Sequence, residues 1–203
     1  MSVLRLVLAS ASPRRADVLR QLGLDPVVVP AELDEAYLPD ETPAEHVERL
    51  ARAKAGVVAL QEPDALVVAG DTVVVDGERV LGKPRDAEHA VAMLTSLAGR
   101  AHDVLSGIAI AGEHGIVSGV ARTAVRFRAF DEQDARRYVA TGEPADKAGA
   151  YGIQGLGAAL VESVEGDYSC VVGFPVGLFV DLLGRAGWRY AFGSLARAAG
   201  PGG

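Results

Sequence analysis

A largely apolar run, Leu4 to Ala9, passes without a linker into Ser10-Ala11-Ser12-Pro13-Arg14-Arg15, and this junction constrains the fold more than any other part of the chain. The run reads as a buried strand. Ser12 and Pro13 suit the N-cap and first position of a helix whose apolar side is Val18, Leu19 and Leu22, with Gly23 as its stop. The junction is thus the end of a buried strand and the start of a capped helix. The start of such a helix attracts anions through its open N–H groups and partial positive charge, and Arg14 and Arg15 add planar forks that match phosphate oxygens. An ordinary capped helix with surface arginines fits the same residues, so the remaining sequence has to decide.

The α/β rhythm continues. Pro26 to Val29 reads as a second short strand, and Ala31 to Glu41 as an acidic loop with Glu32, Asp34, Glu35, Asp40 and Glu41. Thr42-Pro43-Ala44-Glu45 is a capping box, and the helix it opens runs to about Leu60 with Lys54 on its inward side beside Ala51, Ala55 and Val58. Ala65 to Ala69 is a buried strand expected to end at Gly70-Asp71-Thr72. Val73 to Val75 and Arg79 to Leu81 flank Asp76-Gly77 as a hairpin. Asp86 caps a helix to Leu97, His102 to Ala111 and Ile116 to Phe127 pair as strands, and Asp131 caps a helix to Val139. Gly157 to Val164 reads as a strand, Pro175 to Ala186 as a last helix, and Gly200 to Gly203 as a frayed tail. Hairpins among helices require a mixed sheet.

The chain has 203 residues, 49% hydrophobic and 23% charged, which is ordinary for one globular domain or two small lobes. A net charge of −7 argues against a nucleic-acid-coating role, and it means that a polyanionic ligand needs local cations or a metal. A single cysteine, Cys170, fits a reducing compartment and a buried small side chain. Met1 to Ala9 is short for a signal peptide and no apolar run reaches spanning length, so a cytoplasmic protein without a membrane partner is expected.

Several residues stand out chemically. Asp71, placed where strand ends gather ligands, suits the orientation or deprotonation of water, or a divalent metal; a turn aspartate is the plain alternative. Lys54 either snorkels outward or projects into a site, and Glu35 is either a metal ligand or solvated. Gly77 to Pro84 nearly spells a Walker phosphate loop, but Pro84 stands where Ser or Thr must hold magnesium, and a hairpin precedes it; only Lys83, fixed between Gly82 and Pro84, keeps interest. The segment Gly142 to Gly155 gathers Glu143, Asp146, Lys147, Tyr151 and Gln154 without periodicity, as functional loops do. There Gln154 suits paired hydrogen bonds to a base edge, and Tyr151 suits a sugar or phosphate. His46, His89, His102 and His114 have no metal-ligand spacing.

Taken in order from about Leu4 to Leu183, these segments resemble the Maf family of nucleoside triphosphate pyrophosphatases. The resemblance rests on Ser10 to Arg15, Asp34-Glu35, Ala51 to Ala55, Gly70 to Val74, Gly82-Lys83-Pro84, Gly99 to His102, Ser106-Gly107 and Asp146 to Gly155. It implies a single Maf-like domain over 1–203: an elongated α/β mixed sheet with flanking helices and two lobes around a central cleft, as in the inosine triphosphate pyrophosphatases. It implies hydrolysis to the monophosphate and pyrophosphate, a divalent metal (Mg²⁺ or Mn²⁺) and a homodimer. By position it implies Asp71 as the catalytic base, Glu35 on the metal side, and Ser10, Arg14, Arg15, Lys54 and Lys83 on the phosphates. Arg14, Thr72 and Gln154 match the branch acting on dTTP and UTP. Two other readings remain: a pyrophosphatase for modified purine nucleotides such as 7-methyl-GTP, and a non-catalytic nucleotide sensor in cell division. A sensor needs the cations but has no use for Asp71.

Overall fold

The computed structural model describes residues 4–198. In chain order the elements are β1 (Arg5–Leu8), α1 (Pro13–Gln21), β2 (Val27–Val28), α2 (Pro43–Gln61), β3 (Ala65–Asp76), β4 (Arg79–Leu81), α3 (Ala87–Leu97), β5 (Ala101–Gly112), β6 (Gly115–Phe127) and α4 (Glu132–Val139). Three short 3-10 segments, Glu143–Asp146, Ala148–Ala150 and Leu156–Leu160, follow. The chain continues with β7 (Val161–Glu165), α5 (Tyr168–Val172), α6 (Val176–Arg185), β8 (Trp188–Tyr190) and β9 (Leu195–Arg197). One mixed sheet has the order β2-β1-β3-β5-β6-β7, with β4 on β3, and β8 pairs with β9 apart from it. This is the α/β fold, a mixed sheet flanked by helices, that the alternation of strands and helices with hairpins predicts.

The chain divides into two units: one holds the described residues up to Asp71, Ser106–Ala121 and those from Gly173 onward, the other Thr72–Leu105 and Arg122–Val172. In the first, β1 pairs in parallel with β2 (Val7 opposite Val27) and with β3 (Leu8 opposite Val68). Val7, Ala9, Val67, Ala69, Ala109 and Ala111 make a strip of small apolar side chains under Ala51, Ala55 and Val58 of α2. Small residues let the helix come close. At Gly107 a Cβ would sit 2.7 Å from the Val47 carbonyl carbon, so only glycine fits there. That approach is what brings Lys54 down onto β3.

In the second unit β3 ends in a hairpin with β4, and β6 pairs antiparallel with β7. Phe127, fully buried, meets the rings of His102 and Tyr151 edge-on at 4.8 Å. Asp86 and Asp131 cap α3 and α4 as expected, and Thr42 and Glu45 form the full reciprocal capping box on α2.

Several local expectations need correction. Ser12 occupies the N-cap of α1, yet its side chain makes no cap bond; its N–H donates instead to the Ser10 hydroxyl at 3.2 Å. β3 does not end at Asp71 but continues to Asp76, because Val73 to Val75 prolong the buried ladder. Asp76 therefore pairs with Arg79, and the two-residue loop is Gly77-Glu78, with Gly77 at φ 63°. The strand expected from Gly157 begins only at Val161, since the Leu156 and Gly157 N–H groups donate to the Glu143 carboxylate rather than to a neighbouring strand. The hairpin β8–β9 and the single-turn α5 are too short for a periodic signal. The tail at Gly200 to Gly203 lies outside the described residues.

Candidate active site

At the end of β1 the Ala9 N–H still pairs with Val68, and Ser10 follows, buried, as the chain turns into α1. The Ser10 hydroxyl accepts from the Ser12 N–H at 3.2 Å and from Arg15 Nη1 at 2.9 Å, so its own hydrogen is left to donate. Arg15 is buried on α1, and its Nε donates to the Gly173 carbonyl at 2.9 Å. Burial pulls this guanidinium below the usual arginine range; the charge of Asp71 opposes that, Arg14 adds to it and Glu35 opposes it. These side chains therefore share one electrostatic neighbourhood.

Its centre is Lys54. The ammonium, 7% exposed, sits 2.8 Å from Asp71 Oδ1 and 2.6 Å from Glu35 Oε1. Asp71 is buried in mid-strand, and a Cβ on the neighbouring Gly70 would crowd the Gly107 carbonyl at 3.0 Å and Arg15 Nε at 3.4 Å. Glu35 arrives from the loop between β2 and α2 with its side chain 57% exposed. Lys54 thus projects into a site rather than snorkelling outward, and Asp71 is no turn aspartate. The first unit brings together Ser10, Arg14, Arg15, Lys54, Asp71 and Glu35.

Sequence reasoning missed what holds the Glu35 loop. Tyr37 stacks flat on His46, ring centroids 3.5 Å apart, and His46 Nδ1 lies 2.9 Å from Glu41. Arg49 grips both oxygens of Glu41 and donates to the Ala36 carbonyl at 3.0 Å. The Arg49 fork, aided by His46, holds the Glu41 carboxyl down at about 2. Burial, with the charges of Asp71 and Glu41, pushes the Tyr37 phenol up to about 12, so it stays a neutral hydroxyl. A signal exists only in part: His46 and Arg49 share one face of α2 at i, i+3, but the stacking on Tyr37 has no local signature.

The second unit carries the other expected site residues. Thr72, half-buried, follows Asp71 on β3. Lys83 is exposed two residues beyond β4, and the neighbouring Gly82 carbonyl accepts from the Gly149 N–H at 3.1 Å. Gln154 is exposed. Tyr151 is not available to a sugar or phosphate: it is 5% exposed and its hydroxyl lies 2.9 Å from His102 Nε2. Burial depresses His102 to about 4, leaving a neutral imidazole in the core. Lys147 likewise turns inward, donating to the Glu143 carbonyl and to Asp146. Cys170 is buried, as expected. Among the described residues no three His, Cys, Asp or Glu side chains group as a metal site, and no helix is long and apolar enough to cross a membrane.

A family model described as Maf-like protein matches residues 5–186. The chain belongs to that family. Among curated relatives, the dTTP/UTP pyrophosphatase of Myxococcus xanthus is 53% identical over 188 residues, covering 91% of this chain and 95% of that protein. Enzymes of the same name from Desulfotalea psychrophila and Symbiobacterium thermophilum are each 50% identical, covering 88% and 91% of this chain and 92% and 95% of their own. A solved structure, the Staphylococcus aureus Ham1 protein, aligns over 61% of this chain and 71% of that one, at 16% identity and a TM-score of 0.44, too loosely to add to the fold read from the strands.

Proposed function

We propose that this chain hydrolyses nucleoside triphosphates to the monophosphate and pyrophosphate, with dTTP and UTP as its best substrates and Asp71 as general base. The observation that carries the reading is the Lys54 ammonium lodged between Asp71 and Glu35 beside the buried Arg15. Water attacks the α-phosphorus and gives its proton to the Asp71 carboxylate. The bond to the α,β-bridging oxygen breaks, and the leaving pyrophosphate takes the electron pair. Charge builds on the bridging oxygen and β-phosphate, where fixed cations are most effective. Ser10, Arg14, Arg15, Lys54 and Lys83 serve the phosphates in this reading. The start of α1, where Ser12 makes no side-chain cap bond, and the Ser10 hydroxyl hydrogen add donors. A sensor would need the cations, but it has no use for the buried carboxylate of Asp71 among them.

Glu35, with its side chain 57% exposed, is a small donor set, and that suits Mg²⁺ or Mn²⁺, which keep waters and take further oxygens from substrate phosphates. Glu35 would hold such a metal, and it would neutralise charge developing on the phosphates. Excess EDTA should abolish turnover, and Glu35→Gln should raise the metal concentration needed for half activity; an unchanged requirement clears Glu35. The homodimer implied by the family resemblance belongs to the same proposal, and sedimentation mass checks it.

Gln154 supplies the base choice. Its amide offers one acceptor and one donor, the complement of the N3–H and adjacent carbonyl of uracil and thymine, whereas cytosine lacks the N3–H. An unpaired polar group makes the difference worth roughly ten- to a hundredfold. Pyrophosphate release from a nucleotide panel should therefore favour dTTP and UTP over CTP, ATP and GTP, and Gln154→Ala should flatten that preference. A wild-type preference for 7-methyl-GTP would replace the pyrimidine reading and leave the pyrophosphatase reading intact.

A further inference from the structure

Gln154 is exposed, and an exposed amide can discriminate bases only if something fixes its backbone. The turn that carries it is pinned from three sides. Tyr151 and Ile153 are buried around it, with Tyr151 bonded to His102. Ahead of Gln154, the Gly152 N–H donates to the Tyr138 hydroxyl at 3.0 Å. Beyond it, the Leu156 N–H donates to Glu143 Oε2 at 2.8 Å and the Gly157 N–H to Glu143 Oε1 at 3.0 Å. Tyr138 closes the circuit by donating to Glu143 Oε1 at 2.8 Å. Two glycines of the turn, Gly155 and Gly157, are explained by the same carboxylate and phenol. A Cβ on Gly155 would lie 2.7 Å from Glu143 Cδ, and one on Gly157 would lie 2.5 Å from the Tyr138 hydroxyl. The backbone wraps Glu143 as it would wrap a bound anion.

We propose that Glu143, with Tyr138, is a positioning residue for base choice: its carboxylate clamps the Gly152–Gly157 turn and thereby aims Gln154. The proposal rests on the reading of Gln154 as the base-contacting side chain and extends it to residues that touch no substrate. The two carboxylate oxygens are used separately, one for Leu156 and one for Gly157 and Tyr138, so an amide cannot replace them. Glu143→Gln presents an NH₂ to one N–H donor and should give an intermediate defect, with Glu143→Ala worse.

The experiment measures kcat/KM for dTTP and CTP in the wild type, Glu143→Ala, Glu143→Gln, Gln154→Ala and the double variant Glu143→Ala/Gln154→Ala. The dTTP-to-CTP ratio should fall roughly tenfold in Glu143→Ala, and the double variant should show little further fall beyond Gln154→Ala, because both act through one interaction. Amide exchange at Gly152, Leu156 and Gly157 should quicken in Glu143→Ala. Should that variant fail to fold, Tyr138→Phe removes the same circuit at one atom and should lower the ratio in the same sense. An equal loss on dTTP and CTP, or effects that add fully in the double variant, overturns the clamp. If Gln154→Ala leaves the ratio unchanged, the base-contact reading fails first and the clamp falls with it; a ratio moved by Gln154→Ala but not by Glu143→Ala refutes the clamp alone.

Discussion

Asp71→Asn should leave the protein folded and remove a hundredfold or more of its pyrophosphate release, the loss expected when a general base is deleted. The substitution changes almost nothing in shape. Asp71 is buried on β3, and an asparagine carbonyl can still accept from Lys54 where Oδ1 does now, at 2.8 Å. Lys54 also keeps its 2.6 Å contact with Glu35, so its ammonium is not stranded. The thermal midpoint should therefore move by only a few degrees, about what 1 kcal/mol does to a chain of this size. What the amide cannot do is accept the proton of the attacking water. Turnover against several triphosphates, measured beside a melting curve, checks the expectation. A folded variant that still hydrolyses dTTP at the wild-type rate would remove Asp71 from the chemistry.

How much of this was legible in the sequence depends on how local each signal is. The capping box at Thr42 and Glu45 and the caps at Asp86 and Asp131 were readable because a cap is decided within four residues. The inward lysine was readable because Lys54 repeats the helical spacing of Ala51, Ala55 and Val58. The strand boundary at Asp71 was not. A carboxylate inside a valine-rich run looks like a stop, and only its pairing with Lys54 explains a charge in mid-strand. Residues 142–155 are legible as dense in functional groups, but their partition is hidden. Glu143, Lys147 and Tyr151 are spent on holding the segment together, while Gln154 is presented. Nothing in periodicity separates a side chain that binds the loop's own backbone from one that faces a ligand. The same limit hid the Tyr37–His46 stack and the Arg49 grip on Glu41, which join a loop to a helix face.

Lys54→Met tests the same centre from the other side, and its expected signature differs from that of Asp71→Asn. Methionine keeps the length and apolar stem of a side chain that is 7% exposed, and deletes only the ammonium between two carboxylates. Turnover should fall by roughly 10²- to 10³-fold, as it does when one preorganised electrostatic partner is removed from a site. Stability should fall as well, because Asp71 is buried and loses its cation; the cost is about 1–3 kcal/mol for a buried group left unsatisfied, below the full penalty of a broken buried pair. Glu35 moderates it, since its side chain is already 57% exposed and can turn to water. The thermal midpoint should therefore drop by several degrees in Lys54→Met while Asp71→Asn stays near the wild type. The two changes share one interaction, so the double variant should be less impaired than the product of the singles predicts. Wild-type turnover in Lys54→Met, or losses that multiply fully in the double variant, would mean that the lysine and the aspartate do not act as a unit. In that case the buried ion pair is scaffolding for the crossing of α2 over β3, and the base has to be sought elsewhere.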